Sequence, residues 1–121
     1  MSRLDAAFLD RLEVFAERIV RVAAALSQQQ VSRRIVDQLM ACGTAVGANA
    51  FEADEAMSRR DFIKCLAISN KELNEARFWL RLAIRSDWLP EERLGPLLAE
   101  ADELRKILGT MIARSKARPG G

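Results

Sequence analysis

Apolar residues recur every three or four positions along four separate stretches of the chain, which is the spacing of one face of an α-helix. These stretches predict helices over Leu4–Leu26, Ser32–Ala53 and Ser58–Ser86, and a fourth that begins near Pro90, where proline suits a first helical turn. The four faces consist of Phe8, Leu12, Phe15, Ile19, Val22 and Leu26; Ile35, Leu39, Cys42, Val46 and Ala50; Phe62, Leu66, Ser69, Leu73, Ala76, Leu80 and Ile84; and Leu94, Leu97, Leu98, Ala101, Leu104, Leu108 and Met111. No stretch alternates with the period of a strand, so the pattern indicates an all-α fold.

Short polar connections separate these four helices, and short connections force consecutive helices to run antiparallel. The sequence therefore predicts an up-down-up-down four-helix bundle over residues 1–114. Within the fourth helix, Gly95 and Pro96 are expected to break off a short first segment. Residues 115–121 carry nothing to bury, and we expect them to form a disordered tail.

Composition narrows the class of protein further. The chain has 121 residues, the size of one domain, and a formal net charge of +2, which is too small to argue for nucleic-acid binding by itself. No apolar run is long enough to cross a bilayer, and charges throughout the first residues exclude a signal peptide. We therefore expect a cytoplasmic protein without membrane contact. We expect Cys42 and Cys65 to be reduced and buried, because their helical positions place them too far apart for a disulfide.

Candidate chemistry is sparse. The chain contains no histidine, which removes the commonest general base and the commonest metal ligand. Glu52 and Glu72 would lie roughly 20 Å apart in an antiparallel pair of helices, which is too far to share a metal ion. No nucleophile elbow or phosphate-binding loop is present. We expect no enzymatic activity, no catalytic or metal-binding residue, no cofactor and no small-molecule substrate.

The second and third helices carry the more informative residues. Gly43 and Gly47 lie inside the second helix, where glycine costs about 1 kcal/mol relative to alanine, so close approach of another helix is expected. Polar residues lie close to the apolar face of the third helix. Such a polar seam indicates either a partner subunit or an internal hydrogen-bond network.

Basic residues gather toward one end of the predicted bundle. Antiparallel register places Arg33 and Arg34 level with Arg77, and brings arginines of all four helices to the same end. These possible nucleic-acid contacts are Arg18, Arg21, Arg33, Arg34, Arg77, Arg81, Arg85 and Arg93. Such a patch could contact phosphates of RNA or DNA. A solvated, salt-bridged surface is the alternative.

Several motifs resemble a known family. They are Gln38-Leu39, the run VGANAFE over residues 46–52, Ser58 followed by Phe62, and the run ISNKELNEARFWL over residues 68–80. Together they are similar to the four-helix bundle proteins of the 23S rRNA intervening-sequence group, over about residues 15–112. Two positions depart from the family pattern, since Ala53 stands where glycine is usual and Ala45 where serine is common.

The resemblance implies a cytoplasmic bacterial protein that assembles as a ring-like homopentamer. Some relatives are encoded within 23S rRNA insertions, and a more distant similarity is to the accessory variability determinant of diversity-generating retroelements, which binds nucleic acid and a reverse transcriptase. The recurring polar positions of the family match Asn49, Glu52, Ser69, Glu72 and Glu75. The resemblance implies that these residues are structural, either capping the hairpin or bonding at a subunit interface.

The leading hypothesis is therefore a non-enzymatic oligomeric bundle whose assembly is its main property and whose arginine-rich end could bind RNA or a complex containing it. The alternative is a scaffold that docks other proteins and binds no nucleic acid.

Overall fold

The structure, a computed structural model, describes residues 3–119 and consists of four α-helices. They are α1 (Ala6–Gln28), α2 (Arg33–Asp54), α3 (Arg59–Arg85) and α4 (Glu91–Ala117). Each helix packs antiparallel on the one before it. Among the helix pairs in contact, α2 and α3 have the most extensive contact, and α1 and α4 have the least. The predicted all-α antiparallel four-helix bundle is confirmed.

Polar side chains mark where the helices begin. Asp5 precedes α1, and its carboxylate accepts a hydrogen bond from the backbone N–H of Ala7. Ser58 precedes α3, and its hydroxyl accepts a hydrogen bond from the backbone N–H of Asp61 at 3.1 Å, which caps the start of the helix. Ser32 occupies the corresponding position before α2, but its side chain makes no capping hydrogen bond.

Helix α4 continues through Gly95 and Pro96, so the predicted break there was wrong. Proline lacks one backbone donor, but Leu94 and Leu97 on either side of the pair are buried in the core. Their burial holds the first turns of α4 in line with the rest. The helix also extends to Ala117, three residues beyond the expected end of the bundle. Of the tail predicted to be disordered, residues 120 and 121 lie outside the described residues.

Two residues with positive φ close the turns at one end of the bundle. Gln30 after α1 has φ of 60°, and Asp87 after α3 has φ of 56°. Beyond each, a backbone N–H reaches back to the preceding helix: Val31 donates to Leu26 and Trp88 to Ala83. Helices α1 and α3 therefore end in the same hydrogen-bonded C-terminal motif.

The predicted apolar faces form one core, with two shifts of a single position. Val36 rather than Ile35 is buried at the start of α2, and Ala83 rather than Ile84 at the end of α3. Both isoleucines are half-buried. At each site two apolar residues are adjacent, so the spacing alone did not decide which one faces inward.

Close helix packing explains one of the two glycines in α2. A Cβ at Gly43 would lie 2.5 Å from Cγ2 of Ile19, so α1 approaches here more closely than any side chain allows. At Gly47 the nearest atom would be the carbonyl oxygen of Leu12 at 3.8 Å, an ordinary contact. The expected close approach is confirmed at Gly43 and is absent at Gly47.

Candidate functional site

The polar residues of the α2–α3 hairpin divide into internal and outward-facing groups. Ser69 is fully buried, and its hydroxyl donates to the backbone carbonyl of Val46 at 2.6 Å. Asn49 is half-buried, and its amide donates to the carbonyl of Ala45 in its own helix at 2.8 Å. Ser69 thus joins α3 to α2 within one chain, whereas Asn49 bonds only within α2.

The three glutamates lie nearer the surface. Glu52 is exposed in the last turn of α2, and Glu72 is half-buried on α3. Glu75 accepts a hydrogen bond from the indole N–H of Trp79 at 3.1 Å, one turn along the same helix. Trp79 packs against the core and meets the ring of Phe78 edge to face, with 5.0 Å between ring centroids.

The same two helices expose large apolar side chains. Phe78 is 57% exposed and Ile68 36% on α3, while Phe51 is 44% exposed and Met40 37% on α2. These four residues are referred to below as the exposed apolar residues of α2 and α3. Isolated exposed apolar residues are common on soluble proteins. Phe51 and Phe78 lie on adjacent helices and, by the Ser69–Val46 register, about 20 Å apart along them, so they make the length of the hairpin a candidate interaction surface.

Burial raises the pKa of the Cys42 thiol. It lies inside the α2–α3 contact and its pKa is raised to about 12, mainly by burial and further by the nearby carboxylates of Glu75 and Glu72. The expectation that both cysteines are reduced and buried is met by Cys42. Cys65 is also a free thiol but is only half-buried.

The structure shifts the register expected for the arginine-rich end. The hydrogen bond between Ser69 and Val46 marks residues that lie level on α3 and α2. Because both helices rise equally per residue, Arg34 lies level with Arg81, twelve residues further along each helix, rather than with Arg77. Arg33 and Arg34 therefore sit one turn closer to the end of the bundle than predicted.

Several of the eight predicted arginines have carboxylate neighbours. Arg77 donates to Asp102 of α4 at 2.6 Å and to the side chain of Asn74 at 2.9 Å. Arg33 lies 3.9 Å from Asp37, and Arg18 contributes to lowering the pKa of Glu100. The positive charge of Arg18 thus lies near the Glu100 carboxylate of α4. These positions favour the salt-bridged alternative for part of the patch.

The remaining five arginines have no carboxylate within 4 Å among residues 3–119: Arg21, Arg34, Arg81, Arg85 and Arg93. Arg81 and Arg85 line a cavity of about 230 Å³ between α3 and α4, together with Glu91. Arg81 and Arg85 therefore expose positive charge to solvent at the arginine-rich end of the bundle.

One ion pair joins α1 to α4. Arg11 donates twice to Glu100, from Nε at 2.7 Å and from Nη2 at 2.8 Å. The hydrogen bonds from Arg11 lower the pKa of the Glu100 carboxyl, and the Glu100 carboxylate raises the pKa of Arg11. The pair therefore links α1 to α4, the neighbouring helices with the least extensive contact.

A second basic cluster lies at the opposite end of the bundle. There, the first described residues meet the start of α3 and the end of α4. The cations are Arg3, Arg59, Arg60, Arg114, Lys116 and Arg118, and they line two neighbouring cavities of about 460 and 500 Å³. We call these six residues and the two cavities the basic cleft. Sequence reasoning missed it, because residues 115–121 were assigned to a disordered tail.

Within residues 3–119 no group of three or more His, Cys, Asp or Glu side chains is arranged to hold a metal ion. In that same part of the chain no helix is long and apolar enough to cross a membrane.

Comparison with known proteins assigns the chain to a family. Residues 6–110 match the family model described as 23S rRNA-intervening sequence protein. The chain belongs to this family. It is also similar to a solved structure from Bacteroides thetaiotaomicron, described as a protein with unknown function from the S23 ribosomal protein family. The two chains share 36% identity with a TM-score of 0.82, over 86% of this chain and 96% of that one. No curated protein matches.

The family match confirms the resemblance drawn from the hairpin motifs, and it indicates no enzymatic class. It includes α1 to α3 and most of α4, but it ends at residue 110. Arg114, Lys116 and Arg118 of the basic cleft lie beyond the stretch that matches the intervening-sequence family, and so does Arg3.

Proposed function

We propose that this protein is a non-catalytic bundle that associates with copies of itself through α2 and α3. The ring of five copies is the form that resemblance to the intervening-sequence family implies. The observation that carries this proposal is the exposure of Phe51 and Phe78 on neighbouring helices. We also propose a cytoplasmic location, which the two free cysteines support because thiols persist in reducing compartments.

Burial of apolar surface drives the association. Complete burial of a phenylalanine side chain stabilises by roughly 1.5–3 kcal/mol, so covering the exposed half of each ring contributes about 1 kcal/mol. Ile68 and Met40 add further apolar area on the same two helices. The polar residues Glu52 and Glu72 lie within the same hairpin and would form the polar rim that interfaces usually have.

Sedimentation velocity at micromolar concentration tests the assembly. The proposal expects a species of about five times the 13.5 kDa chain mass. Replacing both Phe51 and Phe78 with serine is expected to shift the population toward monomer with unchanged helical circular dichroism. Val14→Ser is the matched control, because Val14 is 43% exposed but lies on α1. A clean 13.5 kDa monomer for the natural sequence would refute the proposal.

We propose nucleic-acid contact through the arginine-rich end as a second candidate function. The observation that favours it is the accessible charge of Arg81, Arg85 and Arg93, none of which has a carboxylate partner among the described residues. Because Arg77 already bonds to Asp102, it is the least available of the predicted contacts.

Binding of a structured RNA at 50 mM salt tests this second candidate. Changing Arg81, Arg85 and Arg93 together to alanine is expected to weaken binding and its salt dependence. The control is Lys71→Ala, which removes an exposed charge from α3 about 15 Å along the helix from Arg81. No RNA retention by the natural sequence would exclude the candidate. Protein partners that persist after nuclease treatment would instead favour the protein-docking scaffold.

A further inference from the structure

The basic cleft combines charges from three separate segments of the chain. Its two cavities share Arg59 and Ser115, so they form one continuous depression across the end of the bundle. Six cations line it, whereas Asp5 is the one acidic residue in its lining. That carboxylate already accepts the hydrogen bond from Ala7 that begins α1.

Two of the five arginines of the cleft donate from their side chains to backbone carbonyls. Nε of Arg3 donates to the carbonyl of Ala56 at 2.9 Å, and Nη1 of Arg59 donates to that of Arg118 at 2.8 Å. The guanidinium carbon of Arg3 also lies 5.6 Å from the centre of the Phe62 ring. A carbonyl orients a guanidinium without cancelling its charge. Among residues 3–119, no side-chain nitrogen of the six cations has a carboxylate oxygen within 4 Å, although the Asp54 carboxylate accepts a hydrogen bond from the backbone N–H of Arg3 at 2.7 Å.

The position of Arg59 and Arg60 is unfavourable for the helix that carries them. They are the first two residues of α3, where the helix dipole disfavours positive charge. The same is true of Arg33 and Arg34 at the start of α2, but these are exposed and line neither cavity of the cleft. Only at the start of α3 is the unfavourable pair combined with further cations around a depression. An anion bound there would offset both the dipole and the mutual repulsion.

We propose that the basic cleft binds the phosphate backbone of a nucleic acid. Guanidinium groups match phosphate oxygens with paired N–H donors, and four arginines surround one of the two cavities. Two adjoining cavities suit successive phosphates of a chain better than a single ion. Leu4 and Phe62, which are only 8% and 9% exposed, and the half-buried Met111 form an apolar floor beneath the cations. The site lies within one chain, so it does not depend on self-association or on the arginine-rich end.

Fluorescence anisotropy with a labelled single-stranded RNA of mixed sequence tests the site on the full chain. The natural sequence is expected to bind at 50 mM NaCl and to weaken steeply by 200 mM. Changing Arg59 and Arg60 together to glutamine is expected to weaken binding at least tenfold and to reduce the salt slope by about one to two. The melting temperature is expected to stay unchanged or rise, since two cations leave the start of a helix.

The matched control changes Lys71 and Lys106 to glutamine. Both side chains are exposed and belong neither to the basic cleft nor to the arginine-rich end, so binding is expected to change less than twofold. Equal losses in the two double variants, or full binding after the change at Arg59 and Arg60, would overturn the assignment to the cleft. Absence of binding by the natural sequence would do the same.

Two competition experiments identify the class of ligand. An unlabelled aspartate polymer of equal charge is expected to compete much less well than unlabelled RNA. Equal competition would show a general site for acidic chains and overturn the nucleic-acid assignment. Pyrophosphate is expected to compete only at far higher concentration, and equal competition would likewise overturn it. Sedimentation of the Arg59 and Arg60 variant is expected to match the natural sequence, which separates this test from that of self-association.

Discussion

The hydroxyl of Ser69 on α3 donates to the backbone carbonyl of Val46 on α2 across 2.6 Å, in a region closed to solvent. The bond joins the two helices that pack together most extensively. A buried hydroxyl costs free energy unless it finds a partner, so Ser69 favours the one helix register that supplies this carbonyl. The polar seam read from the sequence is, at Ser69, an internal hydrogen bond.

Ser69→Ala is expected to lower the free energy of unfolding by about 1 kcal/mol, because it removes one buried hydrogen bond. Urea unfolding followed by circular dichroism measures the change. Ser27→Ala is the control, since Ser27 is exposed near the end of α1 and its replacement should have an effect within about 0.5 kcal/mol. Equal stability of the two variants would mean that the Ser69 bond does not stabilise the hairpin.

Gly43→Ala and Gly47→Ala are expected to change stability in opposite directions. At Gly43 the new methyl would collide with Ile19, a β-branched residue with little rotamer freedom in a helix, at a cost of about 1–3 kcal/mol. At Gly47 the new methyl would make only ordinary contacts with Leu12, at 3.8 Å or more, and alanine should stabilise the helix by up to about 1 kcal/mol. Thermal unfolding of both variants checks the order, and a more stable Gly43→Ala variant would contradict the close approach of α1.

Glu100→Gln is expected to destabilise the fold by about 1 kcal/mol at pH 7, since the partly exposed Arg11 is screened by solvent. The pKa of Glu100 is lowered in the folded state. Its contribution is therefore fully present above the ordinary glutamate pKa of about 4.3, and it is lost as the pH falls through the folded value. Urea unfolding should show a difference between variant and natural sequence at pH 7 that disappears toward pH 3.

Glu103→Gln provides the comparison for that measurement. Glu103 lies 3.9 Å from Lys106 and both side chains are mostly exposed, so its removal should change stability little at either pH. If Glu103→Gln and Glu100→Gln show the same pH dependence, the bridge between α1 and α4 is not its source.

Cys42 is expected to resist thiol reagents in the folded protein. With its pKa raised to about 12, its thiolate fraction at pH 8 is about a thousandfold below that of a free cysteine. In a Cys65→Ala variant, a chromogenic disulfide reagent should react slowly until urea unfolds the chain. A Cys42→Ala variant reports the half-buried Cys65 and should react faster. Fast labelling of Cys42 under native conditions would show that the α2–α3 contact opens.

Helical periodicity was sufficient to predict the fold, because each helix buries a single face and the turns between them are short. The cap at Ser58 was also predictable, since a serine three residues before an acidic side chain has a defined local geometry. The break at Gly95 and Pro96 was not, because tertiary burial of Leu94 and Leu97 outweighs the local preference. Helix propensity describes an isolated helix, and the residues of α4 alone do not show which helices pack against it.

The interaction surfaces were harder to predict than the fold. Equal rise per residue predicts the register of two antiparallel helices only approximately. The sequence placed Arg34 level with Arg77, whereas the structure places it level with Arg81, four residues further along α3. The bond from Arg77 to Asp102 depends on where α4 lies beside α3. The basic cleft depends on three distant segments meeting, and Arg3 carries no local signal that it approaches Phe62.

Gln30 and Asp87, in the turns after α1 and α3, adopt left-handed backbone conformations. Such a conformation costs an ordinary side chain about 1–2 kcal/mol, and aspartate tolerates it better than glutamine does. Gln30→Gly is therefore expected to stabilise the fold more than Asp87→Gly would. It would give a sturdier parent in which the destabilising substitutions described above can be compared while every variant remains folded.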